Sequence, residues 1–128
     1  MQQGNEKLVK SFTDLDVWQK AHQLVVQIYK ITTDFPKEEV FGIVNQMRRC
    51  AVSVTSNIAE GFSRQFGKEK IQFYSMALGS LTELQNQLMI SRDVKYLADS
   101  SFQKIYDQSV EIHKMLNGLI KSTRRRLG

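Results

Sequence analysis

The sequence predicts an all-α fold, an antiparallel up-down-up-down four-helix bundle, on three observations. Apolar residues recur at a period near 3.6 almost throughout, and no apolar–polar alternation lasts long enough for a half-buried strand. Pro36 is the only proline, and glycines are sparse inside the long segments. The connections between periodic segments are roughly 5–8 residues, short enough to favour antiparallel neighbours.

The first helix is predicted from about Asp14 to Thr33, with Asp14 or Asp16 as its cap. Leu15, Trp18, Ala21, Val25, Ile28, Tyr29 and Thr32 form its inner face. Pro36 ends the segment, because the residue before proline avoids the helical region. The second helix is expected from Glu39 or Gly42 to Phe62 and carries two stripes. Ile43, Met47, Cys50, Ala51, Val54, Ile58 and Phe62 are apolar; Asn45, Arg49, Ser53, Ser56, Asn57, Glu60 and Arg64 are polar. The apolar stripe builds a core. The polar one suits a solvated face, a subunit interface or a binding surface.

The third helix is expected from Lys68 to Arg92, with Ile71, Tyr74, Leu78, Leu81, Leu84 and Leu88 inward. Ser75, Gly79 and Ser80 on a neighbouring face offer close approach to another helix. The fourth helix starts near Ser100, which with Gln103 fits a capping box. Phe102, Ile105, Ser109 or Val110, Ile112, Leu116, Leu119 and Ile120 form its apolar face, and it fades into STRRRLG. The domain plan is therefore a flexible segment at 1–13, a bundle at 14–121 and a basic tail at 122–128. Helices of this length would be about 30–38 Å long.

At 128 residues the chain has the length of one domain. No apolar run approaches the ~20 residues of a membrane span, and the N-terminus lacks a signal-peptide core, so a cytoplasmic protein is expected. Cys50 is the only cysteine and sits on an apolar stripe, where it reads as a buried filler. The net charge of +5 is uneven: residues 41–80 carry five basic and two acidic groups, and residues 114–128 carry five basic groups and no acid. Such an excess permits contact with nucleic acid without demanding it.

No catalytic or metal constellation is visible. His22 and His113 are the only histidines, and neither follows a glutamate by three, the spacing used in di-iron bundles. No nucleophile elbow or glycine-rich phosphate loop follows a strand. The expectation is no enzyme, no cofactor and no metal. Two uses of the polar residues remain. Ser53, Asn57, Glu60 and Glu83 are candidates for a polar network or interface, with Arg48 or Arg49 meeting Glu83 in a buried pair and Glu60–Arg64 as a solvated i,i+4 pair. Arg48, Arg49, Arg64, Lys68, Lys70 and Arg92, with Arg124, Arg125 and Arg126 of the tail, are candidates for phosphate contact. Phe62, Phe66, Phe73 and Tyr74 are the few aromatics among them, and they suggest no base-stacking platform.

The run DLDVWQKAHQLVVQIYKIT at 14–32 resembles the opening helix of the 23S rRNA intervening-sequence proteins. The resemblance continues through FPKEEVFGIVNQMRRCAVSVTSNIAEGFSR at 35–64 and ALGSLTELQNQL at 77–88, with SNIAEG its most specific part. Thr55 stands where that family often has a proline that would kink the helix. The resemblance implies a non-enzymatic bundle assembled as a ring, a homopentamer. It extends more weakly to the accessory variability proteins of diversity-generating retroelements, basic rings that partner a reverse transcriptase and nucleic acid. The expected function is binding of RNA or other nucleic acid through a basic surface. The alternative is a scaffold that docks a protein such as a reverse transcriptase or ribosome-maturation factor.

Overall fold

In the computed structural model, residues 8–127 are described, and they hold four long helices and no strand. The first seven residues of the predicted N-terminal segment, and residue 128, lie outside the described residues. After a 3-10 turn at Phe12–Asp14 come α1 (Asp16–Thr32), α2 (Ile43–Ser63), α3 (Gly67–Asp93) and α4 (Asp99–Leu127). A second 3-10 turn, Lys37–Glu39, lies between α1 and α2.

The start of the chain is closed one turn earlier than expected. Ser11 accepts from the Thr13 amide, and Asp14 reaches back to the Ser11 amide at 3.1 Å. Asp14 thus belongs to the capping box of the 3-10 turn, and Leu15 precedes α1 without a side-chain cap. Ser100 is not a cap either: α4 begins at Asp99, placing Ser100 inside its first turn. Nor does α4 fade at Ser122. It continues to Leu127, so Arg124–Arg126 form part of a helical turn, where their positive charges complement the C-terminal end of the macrodipole. With Thr55 in place of a proline, α2 runs unbroken.

The core takes one stripe from each helix. Leu24 and Ile28 meet Met47, Val54 and Ile58, together with Leu81, Leu84 and Leu88, and Ile112 and Leu116, all almost fully buried. Met47 faces Ser91, Ser53 faces Ser80 and Gly61 faces Tyr74; Gln85 meets Ser109 and Arg92 meets Phe102. One inner-face expectation changes. Tyr29 is turned outward, with the Arg48 guanidinium over its ring, while Thr32 is buried with its hydroxyl donating to the Ile28 carbonyl. On α4 the core position is Ser109, satisfied by the Tyr106 carbonyl and the Gln85 amide, and Val110 is half-buried.

Among the described residues, nothing packs against Gly79. A Cβ built there would meet nothing within 4 Å, so the close helix approach expected at Ser75–Gly79–Ser80 occurs only at Ser80. Gly79→Ala is therefore expected to stabilise the protein by about 0.5–1 kcal/mol through helix propensity, measured by thermal melting. A loss of stability would instead place another subunit's helix on this face.

Candidate nucleic-acid interface

The basic candidates fall at two ends of the bundle. Arg48 on the first turns of α2 and Arg64 just past its end are separated by about 24 Å along the helix axis. At the end where α2 begins and α3 finishes, Arg48 and Arg92 are held by their own chain. Arg48 Nε donates to Thr32 Oγ1 at 2.9 Å. Arg92 lies over the Phe102 ring at 4.3 Å and bonds Asp93 at 2.9 Å.

Arg49 is exposed and lines a groove of about 340 Å³ between α2 and α3 with Asn45, Gln46, Ser53, Ser80 and Glu83. Cys50 closes its floor, and burial pushes the thiol pKa up. The expected buried pair with Glu83 is not formed. Arg49 and Glu83 are both exposed, and no ion pair joins them among the described residues. Their positions on the outer edge of the α2–α3 seam leave both in water, where each avoids the desolvation cost of burial. Beside them, the Ser53 and Ser80 hydroxyls do bond across the seam, at 2.7 Å. Asn57 supports it from within α2, donating to the Ser53 carbonyl at 2.9 Å and to its hydroxyl at 3.0 Å. Glu60 pairs with Arg64 at 2.8 Å, with both side chains substantially exposed.

At the other end, the fold brings together what the sequence separates. Leu127, in the last turn of α4, packs against Gly67 at the start of α3: a Cβ on Gly67 would lie 2.5 Å from Leu127 Cδ2. The Arg124–Arg126 turn therefore stands beside the α2–α3 turn, which carries Arg64, Lys68 and Lys70. Burial lowers the Lys70 pKa and raises that of Tyr74, and Arg126 is close enough to add to the first shift and oppose the second.

Within this pole the roles divide. Lys70 is half-buried and donates to the Phe62 carbonyl at 2.7 Å, capping the end of α2. Desolvation first, and Arg126 second, lower its pKa. Arg64 lies over the Phe73 ring at 4.6 Å. Lys68, Arg124, Arg125 and Arg126 are exposed. Arg64, Lys68, Lys70 and Arg124–Arg126 stand at this end with Glu60 and Glu69, and Val9 and Leu15 line one groove with Lys70 and Arg126, which brings Asp14 and Asp16 to the same end. Phe66, which the sequence reading did not select, is 64% exposed there. Its signal was local: an aromatic at the N-cap of α3, where a short polar side chain is preferred.

Among the described residues no cluster of three or more His, Cys, Asp or Glu stands ready for a metal. His22 stacks on Trp18 at 4.8 Å, and His113 Nδ1 is 3.1 Å from Asn117 Nδ2. No described helix is long and apolar enough to cross a membrane.

A match to the family described as 23S rRNA-intervening sequence protein spans residues 13–118. The chain belongs to that family. The match takes in all of α1, α2 and α3 and most of α4, and it stops before the Arg124–Arg126 turn. The chain is also similar to a solved structure from Bacteroides thetaiotaomicron VPI-5482, described as a protein with unknown function from the S23 ribosomal protein family. The TM-score is 0.74 at 26% identity, covering 82% of this chain and 98% of that one. Among curated proteins, none matches.

Proposed function

We propose that this intervening-sequence family member is a non-enzymatic, cytoplasmic nucleic-acid-binding protein. Its up-down-up-down bundle is the protomer of a ring-shaped homopentamer, and the basic pole contacts RNA or other nucleic acid. One observation carries the reading: packing of Leu127 on Gly67 gathers Arg124–Arg126 with Arg64 and Lys68 at one end of the fold. Clustered, exposed Lys and Arg displace counterions from phosphates, which gives salt-dependent binding with little sequence preference. Anisotropy titration against ribosomal RNA fragments at low and moderate salt tests it. No binding at either salt by a folded, assembled protein would end the proposal.

Arg49 and Glu83 give a separate test of assembly. Each is exposed in the protomer, so Arg49→Ala and Glu83→Ala are expected to leave protomer stability within about 0.5 kcal/mol. A fall in light-scattering mass for either variant, with Arg125→Ala unchanged, would assign the α2–α3 groove to a subunit contact. Masses identical to the parent for all three would remove that groove from the interface.

A second reading, a scaffold for a protein partner, is favoured by the opposite end. There Phe41 is 93% exposed, with Val40 and Val94 about half exposed, on loops tied together by the Tyr96–Glu39 hydrogen bond of 2.8 Å. Capture of a partner that survives nuclease treatment, and is lost in Phe41→Ser, would support it.

A further inference from the structure

Phe66 occupies a position that local physics gives to another kind of residue. As N-cap of α3 it forms no side-chain hydrogen bond to the first turn, whereas Ser, Thr, Asp or Asn would. Nor does it serve the core, since it is 64% exposed. The neighbouring aromatics of α2 and α3 are used otherwise: Phe62 lies beneath Lys70 at 5.4 Å, Phe73 lies beneath Arg64 at 4.6 Å, and Tyr74 is 2% exposed. Phe66 is thus the aromatic of this pole whose ring is open to solvent. Leu127, 49% exposed, rests against the adjacent Gly67 and adds an apolar border. Lys68 and Arg124–Arg126 are exposed at the same end, as is Glu69.

An exposed ring at the same end as exposed cations suits a particular ligand. Bases in a duplex are stacked on each other and present no free face, whereas unpaired bases can lie on an aromatic ring while phosphates meet Lys and Arg. The other exposed phenylalanine, Phe41, follows the Lys37–Glu39 turn, whose one lysine and two glutamates make its surroundings mixed in charge.

We infer that the basic pole selects single-stranded nucleic acid, with Phe66 as the stacking residue and Lys68 and Arg124–Arg126 as phosphate contacts. The inference rests on the nucleic-acid reading above and narrows its ligand class. It converts a charge-only surface into one that distinguishes unpaired from paired bases.

The test uses the full chain, with labelled 15-nucleotide oligo(U) and oligo(dT) and a 15-base-pair RNA duplex, titrated at 50 and 150 mM salt. Phe66→Ala is expected to weaken single-strand binding about tenfold, leave duplex binding unchanged and leave the salt dependence unchanged, since stacking releases no counterions. Phe66→Leu keeps apolar area without a π face and should lose nearly as much as Phe66→Ala, while Phe66→Trp should retain or exceed parental binding. Circular dichroism of each variant should match the parent, because the ring contributes little to the core. The inference fails if Phe66→Ala weakens single strand and duplex equally, if it weakens neither, or if Phe66→Leu binds as the parent does. It also fails if vesicles containing 30% phosphatidylserine bind the parent and Phe66→Leu alike while oligonucleotides are indifferent to Phe66. Parental binding to the duplex with no response to Phe66 overturns only this inference. Absence of binding to every oligonucleotide overturns the broader nucleic-acid reading as well.

Discussion

Replacing Arg124, Arg125 and Arg126 together by alanine is expected to flatten the salt dependence of nucleic-acid binding by about 2 units of log–log slope for a single strand and nearly 3 for a duplex. The estimate follows from counterion release, in which each neutralised phosphate contributes a slope of about 0.7 or 0.9. Between 50 and 200 mM salt these three residues would then account for about 20- to 40-fold of the change in affinity. All three are exposed in the last turn of α4, so their loss removes charge without opening the core. Their loss also removes a favourable macrodipole interaction of about 0.3–1 kcal/mol per residue, so melting must be measured alongside binding. Lys30→Ala, an exposed substitution on α1, is the control and should leave the slope near its parental value. Unchanged affinity and slope in the triple variant, with a response to Lys30→Ala, would move the binding surface away from the basic pole.

This surface shows where sequence reading reached and where it stopped. The apolar stripes were legible because a 3.6-residue period determines which side chains share a helix face. Ile28, Met47, Val54, Leu84 and Leu116 stand buried where the pattern places them. Polar partners were less legible, because a hydrogen bond depends on the azimuth of a neighbouring helix. Arg48 therefore turned to Thr32 on α1, and Glu83 stayed in water. Ser109 took a core position over Val110 because Gln85 and the Tyr106 carbonyl satisfy its hydroxyl. The basic pole was legible only in halves. Arg64–Lys70 and Arg124–Arg126 lie more than fifty residues apart in sequence. What joins them is α4 continuing five residues beyond Ser122, far enough for Leu127 to reach Gly67. Periodicity marks the apolar face of that last turn weakly, since one leucine after three arginines reads equally well as a frayed end.

Gly61→Val is expected to destabilise the fold by about 3 kcal/mol, at the upper end of the usual cost of overpacking. For a domain of this size that is a fall in melting temperature on the order of 10 °C. Gly61 ends the SNIAEG run and is buried against α3. A Cβ placed there would lie 2.6 Å from Tyr74 Cε1, 2.8 Å from Tyr74 Cδ1 and 3.1 Å from Phe73 Cβ. Carbon atoms in good contact sit about 3.5–4.0 Å apart, so the ring must move before any side chain fits. Tyr74 has little freedom to do so, because it is 2% exposed. On the other side Lys70 holds the Gly61 and Phe62 carbonyls and fixes the end of α2. Valine adds two further methyl groups to that collision, and its better helix propensity than glycine returns only about 0.3–0.5 kcal/mol. Gly61→Ala should cost less, because the gain of about 1 kcal/mol in helix propensity offsets part of the collision. The cause is then separable in a double-mutant cycle. In a Tyr74→Ala background the obstructing ring is gone, and Gly61→Ala should become neutral or stabilising, with a coupling of about 1 kcal/mol or more. If Gly61→Val melts with the parent, or the cycle shows no coupling, close packing on Tyr74 is not what glycine supplies at the end of this motif. With the coupling present, the last residue of SNIAEG sets the distance between α2 and α3 at the end of the bundle where the basic pole is assembled.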